Sequence, residues 1–240
     1  MRFALIAAAV LGLLATAPAC GQRADLAQRL EQLARAGNAE AAYHLGMLYN
    51  NGIGVAADPR RAFDHFRTAA EAGDPLGAYK LGCYYAGQFG SEAVQPDETQ
   101  TLRWKLVAAR AGYSLAQIDV AVIHVRQQRW AEALPWFEAA ARQGDAQALY
   151  NLSVMYRDGL GTTRSPPRVW ALFRLSQLAS RGSLNENAAR ALDEVWRTLS
   201  PAQRVEAQRI AGSFVTGRSE LTRRAREGLE RAQAVAATAG

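Results

Sequence analysis

The sequence predicts an all-α protein, a right-handed α-solenoid of stacked helical hairpins with capping helices at both ends. Three observations predict it. First, helical segments close on Gly37, Gly73, Gly112, Gly144 and Gly182, at spacings of 36, 39, 32 and 38 residues, and self-similarity at that period marks an array of helical hairpins. Second, the same kinds of residue return in phase. Eight positions past a closing glycine stand Leu45, Leu81, Val120 and Leu152, each followed by a small residue, Gly46, Gly82, Ala121 or Ser153. Third, counting back from each glycine, an alanine stands three before it, at Ala34, Ala70, Ala109, Ala141 and Ala179. Seven before it stand Leu30, Phe66, Lys105, Phe137 and Leu175. Recurrence at three- and four-residue intervals makes a helix stripe, the small residues let paired helices approach closely, and a terminal glycine suits the left-handed position that ends a helix.

In chain order, residues 1–19 come first. Met1-Arg2, an apolar run from Phe3 to Leu14 and the small residues before Cys20 match a secretory signal peptide, and the run is short for a bilayer span. Cys20-Gly21 after Ala19 resembles a bacterial lipobox, although Ala17 and Pro18 depart from that pattern. Two outcomes stay open: a periplasmic protein, or a membrane-anchored lipoprotein with Cys20 as its lipidated first residue. Residues 20–37 read as a leader and capping helix, of which 24–37 match only the second helix of a unit. The array proper covers 38–182, divided at 38–73, 74–112, 113–144 and 145–182.

The first full unit carries Leu45-Gly46, Tyr49, then Gly52, Gly54, Val55 and Asp58 in its loop, and Ala62, Ala69, Ala70 and Gly73 in its second helix. The fourth repeats the scheme with Gly159, Gly161, Ala171, Ala179 and Gly182. These positions resemble the Sel1-like repeat, a relative of the tetratricopeptide hairpin. Two units depart from the pattern. The second has Gly87–Gly90 and a longer loop through Pro96, and the third drops the glycine loop and is degenerate, closer to a tetratricopeptide hairpin. Both are read as local changes within one solenoid, where its surface is least generic.

Past Gly182 the period stops. Residues 183–217 read as two capping helices. The first carries Ala188, Leu192, Val195 and Leu199, and the second opens on a capping box at Ser200-Pro201-Ala202-Gln203. End caps are needed because a terminal repeat would otherwise expose an apolar face. Residues 218–240 form an Arg-rich helical tail, expected to fray through its last alanines.

A search for chemistry finds no catalytic set. His44, His65 and His124 fall on separate helices without a metal-ligand partner, and no Gly-x-Ser-x-Gly, Ser-x-x-Lys or Gly-Lys-Ser/Thr pattern occurs. Neither an enzyme nor a metal or other cofactor is expected. The net charge of +6 falls to +5 without the leader. A basic balance suits acidic partners or anionic membrane surfaces, but the charges are interleaved with Glu and Asp. No basic run with interleaved aromatics suggests a nucleic-acid groove. Membrane contact is expected only through lipidation.

What the residues do offer is a row six positions past each glycine: Tyr43, Tyr79, Ile118 and Tyr150, with Glu40, Asn50, Arg126, Gln147 and Arg157 on the same face. Tyrosine joins a wide apolar face to a polar tip and is favoured where proteins meet. The row is either a groove for an extended peptide or partner helix, or packing between units. The resemblance implies a non-catalytic scaffold or adaptor, in the bacterial cell envelope if exported, that binds another protein along the concave face. The alternatives are a periplasmic immunity protein that neutralises a toxin and, less well supported, an envelope hydrolase.

Overall fold

The computed structural model describes residues 20–89, 92–181, 185–214 and 216–238; the expected leader, the side chain of Cys20 and the closing Gly182 lie outside them. The described residues form twelve helices and no strand: α1 (Cys20–Arg35), α2 (Ala39–Asn51), α3 (Pro59–Glu71), α4 (Pro75–Tyr85), α5 (Glu98–Arg110), α6 (Ser114–Arg126), α7 (Trp130–Arg142), α8 (Ala146–Asp158), α9 (Pro166–Arg181), α10 (Glu186–Thr198), α11 (Pro201–Ser213) and α12 (Glu220–Ala237). Each helix from α1 to α9 packs on the next, α10 and α11 both pack on α9, and α12 packs on α1 and α2. The array is therefore an α-solenoid whose hairpins, α2–α3 through α8–α9, stack in chain order.

The joint between hairpins is built from two residues. At Gly73, with φ of 92°, the glycine N–H donates to the Ala70 carbonyl at 3.1 Å and the Asp74 N–H to the Ala69 carbonyl at 2.8 Å. This pair of bonds is a Schellman closure, which needs a left-handed residue. Asp74 then caps the next helix at once, its carboxylate accepting the Gly77 N–H at 2.7 Å. Asn38 and Asp145 serve in the same way, accepting from Ala41 and Ala148 at 2.9 and 3.0 Å. A helix end fused to a helix start leaves the chain little freedom in direction, so one hairpin positions the next.

The in-phase small residues sit where helices cross. A Cβ at Gly46 would stand 2.8 Å from the Phe66 ring, and one at Gly77 would stand 2.5 Å from the Ala69 Cβ. The apolar stripes fill the space between, with Leu30, Leu45, Phe66, Leu81, Phe137 and Leu149 at most 2% exposed. Cys83, also 2% exposed, is a free thiol of this core. In the degenerate third hairpin, α6 joins α7 through Gln128, which takes the left-handed conformation at φ 58° without being glycine.

Lys105 interrupts the stripe. It occupies the position of Phe66 and Phe137 yet is buried, and its ammonium reaches the Asp119 carboxylate at 2.5 Å. The pair bridges α5 to α6.

The C-terminal segment stays helical to Ala237. After α11 the chain turns back along the array, the Gly217 N–H donating to the Arg142 carbonyl at 3.0 Å and the Ser219 hydroxyl to the Gly112 carbonyl at 2.8 Å. From there α12 runs in reverse order past α6, α4 and α2 to α1, with Leu221, Ala232, Val235 and Ala236 buried. The stretch from Ala234, read from the sequence as fraying, is packed through Ala236 instead, because its small apolar residues meet the flank of α1 and α2.

Two outcomes are expected. Gly77→Ala should lower the unfolding free energy by about 1–3 kcal/mol in urea titration, since neither helix can withdraw without disturbing its neighbour. Asp119→Ala, which strands a buried ammonium, should cost about 3 kcal/mol, whereas Lys105→Met should cost much less or stabilise.

Candidate functional site

Tyr43, Tyr79, Ile118 and Tyr150 occupy the fifth position of α2, α4, α6 and α8. They start from equivalent points of successive hairpins, but their surroundings differ. Tyr43 is 7% exposed, Tyr79 and Ile118 are half-buried, and Tyr150 is 44% exposed. Tyr79 meets the ring of Tyr113 edge-on at 4.8 Å. Burial raises the phenols of Tyr43 and Tyr79 well above their ordinary value. Tyr150 leans on Phe173 with ring centres 6.4 Å apart.

The two polar companions are engaged locally. The Asn50 amide oxygen accepts the Tyr84 hydroxyl at 2.9 Å, tying α2 to α4. Arg157 is exposed and pairs with its neighbour Asp158 at 2.8 and 2.9 Å. Nearby, between α4, α5 and α6, a cleft of about 480 Å³ is lined by Tyr85, Asp97, Leu102, Ile123 and Arg126 among others. It lies where the longer second loop faces the missing third one.

What covers Tyr43 is α12. The two meet around a charged cluster that the sequence reading did not assemble. Arg231 donates to Glu40 at 2.9 and 3.2 Å, and Arg224 pairs with Asp74 while lying 3.6 Å from Glu40. Glu40 opens α2 and Asp74 caps α4, so both carboxylates also face helix N-termini, where negative charge is favoured. Burial works against ionisation of Glu40, but the Arg231 hydrogen bonds and the two guanidinium charges outweigh it and hold its carboxyl below the usual range. At Asp74 burial wins and its carboxyl is raised, despite the Gly77 N–H and Arg224. The separations of 150 and 191 residues between partners explain why no local pattern announced them.

His44 sits in the same cluster, 3% exposed, its Nε2 3.8 Å from Glu40 and without a hydrogen-bond partner. Burial pushes it down to about 4; Glu40 opposes that shift, and Arg224 and Arg231 add to it. His65 stacks on Tyr49 and His124 is buried at the end of α6. The three imidazoles remain apart, and no group of three or more His, Cys, Asp or Glu converges to hold a metal among the described residues. No helix among them is long and apolar enough to cross a membrane.

The neutral imidazole has a measurable consequence. An unfolded chain protonates His44 near its ordinary value, whereas the folded one resists until about 4. Stability is thus full above pH 6.5 and falls as the pH drops from 6.5 towards 4, by about 3 kcal/mol at most. His44→Gln should lessen the loss in that window, leaving the share from His65 and His124, whose imidazoles burial also lowers, and the carboxylate-linked loss at lower pH, as read by urea titrations across pH.

Comparison with known proteins agrees with this architecture. The Sel1 repeat family matches residues 39–74, 75–113, 131–145 and 146–183. The third match covers only the second helix of the degenerate unit. The chain is similar to chitin synthase regulatory factor 3 of Schizosaccharomyces pombe, 27% identical over 161 residues, covering 61% of this chain and 17% of that protein. It is also similar to the ERAD-associated E3 ubiquitin-protein ligase component HRD3B of Arabidopsis thaliana, 30% identical over 95 residues, covering 40% of this chain and 15% of that one. The chain thus spans less than a fifth of either relative. Among solved structures it resembles a Sel1 repeat protein from Oxalobacter formigenes, with a TM-score of 0.59 and 19% identity over 87% of this chain and 96% of the other. With more than half its length matched in phase by the family's repeat, the chain belongs to the Sel1 repeat family.

Proposed function

We propose that this protein is a non-catalytic scaffold of the bacterial cell envelope that binds another protein along the face lined by its first helices. The observation that carries the reading is the gradient along the tyrosine row. The same register position is covered by a helix at Tyr43 and open at Tyr150, 44% exposed on α8. A surface that already accepts a helix at one end and presents a large aromatic at the other has the shape and chemistry of a binding face. The relatives that the chain matches are named as a regulatory factor and a ligase component, which fits a role in holding other proteins. Export rests on the pattern of residues 1–19, with anchoring through Cys20 as the variant of it; cell fractionation and the mass of the mature N-terminus test both.

A photocrosslinking residue placed at Tyr150 in intact cells is expected to trap one defined protein. The same residue at Val205, which is 67% exposed on α11, should trap nothing specific. Tyr150→Ser should abolish capture with helicity and melting unchanged. Equal trapping at both positions, or a Tyr150→Ser chain that no longer folds, would assign the row to packing.

A further inference from the structure

The contact between α12 and the first two hairpins is charge-matched but poorly filled. Its ionic part is specific: Arg224 and Arg231, seven residues apart, meet Asp74 and Glu40 at the starts of α4 and α2. Its packing is not. A partly open cleft of about 130 Å³ remains between α12 and α2, bordered by Tyr43, His44, Met47, Ala225 and Leu229 among others. Three buried side-chain polar atoms lack hydrogen-bond partners among the described residues, and two of them, His44 Nε2 and Arg224 Nε, belong to this one contact. The helix itself is broken at Gly228, with φ of 53° and ψ of −118°, although a Cβ there would touch nothing. Close packing does not require the break.

By contrast, the first turn of α12 is secured. Ser219 and Thr222 bond to Gly112 and Gln143, and the Ser114 N–H donates to Thr222 Oγ1 at 3.1 Å. That last bond serves a helix whose own N-cap position, Tyr113, supplies no side-chain bond. An element pinned at its first turn, gapped around Gly228 and buried again at Ala232, Val235 and Ala236 is a tethered occupant.

We infer that the acid-rimmed seat formed by α2 and α4 is a docking groove for an arginine-bearing amphipathic helix of a partner protein, with α12 as its placeholder in cis. The inference rests on the scaffold reading above and names the partner's chemistry. Two guanidinium groups about two turns apart reach Asp74 and Glu40, and apolar residues between them fill the space beside Met47 that Ala225 and Gly228 leave vacant. A residue with a free hydrogen-bond acceptor opposite His44 would satisfy the Nε2–H that α12 leaves unpaired if the proton sits on that nitrogen. The tether keeps α12 at high local concentration, so weak partners are excluded and only a better-fitting helix enters.

Two measurements on the full chain test this. Hydrogen exchange should show residues 223–237 opening at least a hundredfold more often than α2 to α5; exchange only through global unfolding would make α12 a permanent wall and overturn the inference. A fluorescent peptide of residues 219–238 should bind Arg224→Glu/Arg231→Glu protein at least tenfold more tightly than wild type, and Glu40→Arg/Asp74→Asn protein, whose asparagine keeps the helix cap, not at all. Should the glutamate pair not fold, Arg224→Gln/Arg231→Gln takes its place. Equal binding to all chains, or none to any, would overturn the groove. A concentration-dependent wild-type dimer with exchanged α12 would make the occupant a second copy and overturn the foreign partner. Capture at Tyr150 depends on neither result, so failure here leaves the scaffold reading to its own test.

Discussion

Everything in this molecule depends on the joint between one hairpin and the next. At Gly73-Asp74 a left-handed glycine ends one helix and the following side chain starts another, with no residue between them free to wander. Neither partner could be replaced cheaply. A Cβ at a left-handed position is strained, and an unsatisfied helix start exposes N–H groups that the protein interior penalises. Repeated at Gly37-Asn38 and Gly144-Asp145, the joint turns a list of helices into a stack. The stack in turn gives every first helix the same orientation, which is why four residues chosen by counting from a glycine lie in one row.

The third unit shows what happens when this grammar weakens. Tyr113 brings no capping oxygen, and the oxygen comes from Thr222 in the returning C-terminal segment. Gln128 stands at φ 58° in the shortened link to α7. Lys105 replaces an apolar residue and finds Asp119 within the same unit pair. The hairpin least like its neighbours is thus held by contacts from elsewhere, and the cleft bordered by Arg126 opens beside it. Buried ionic pairs contribute little net stability but tolerate few alternative partners, so they suit a place where repeats must stay in register without a strong apolar stripe.

The row of tyrosines was legible in the sequence as a register; its accessibility was not. Tyr150 stands open and Tyr43 is covered, and the difference arises from a helix more than 170 residues further along the chain. Asn50, read as part of a binding face, accepts the Tyr84 hydroxyl. Glu40 and Asp74 carried recognisable local roles as a first-turn acid and a helix cap. Their second role, as partners of Arg231 and Arg224, left no trace in any window of sequence.

By itself, then, the sequence determined the repeat period, the places where helices begin and end, the small residues at their crossings and the membership that follows from them. These are short-range properties: a turn, a cap and a stripe are each decided within about ten residues, and their recurrence makes them visible. Only the tertiary structure decided where α12 lies, which part of the tyrosine row it covers and which carboxylates face its arginines. Such contacts join residues 150 and 191 positions apart and occur once, so no periodicity encodes them; they follow from how the stacked hairpins bring α12 onto α1 and α2.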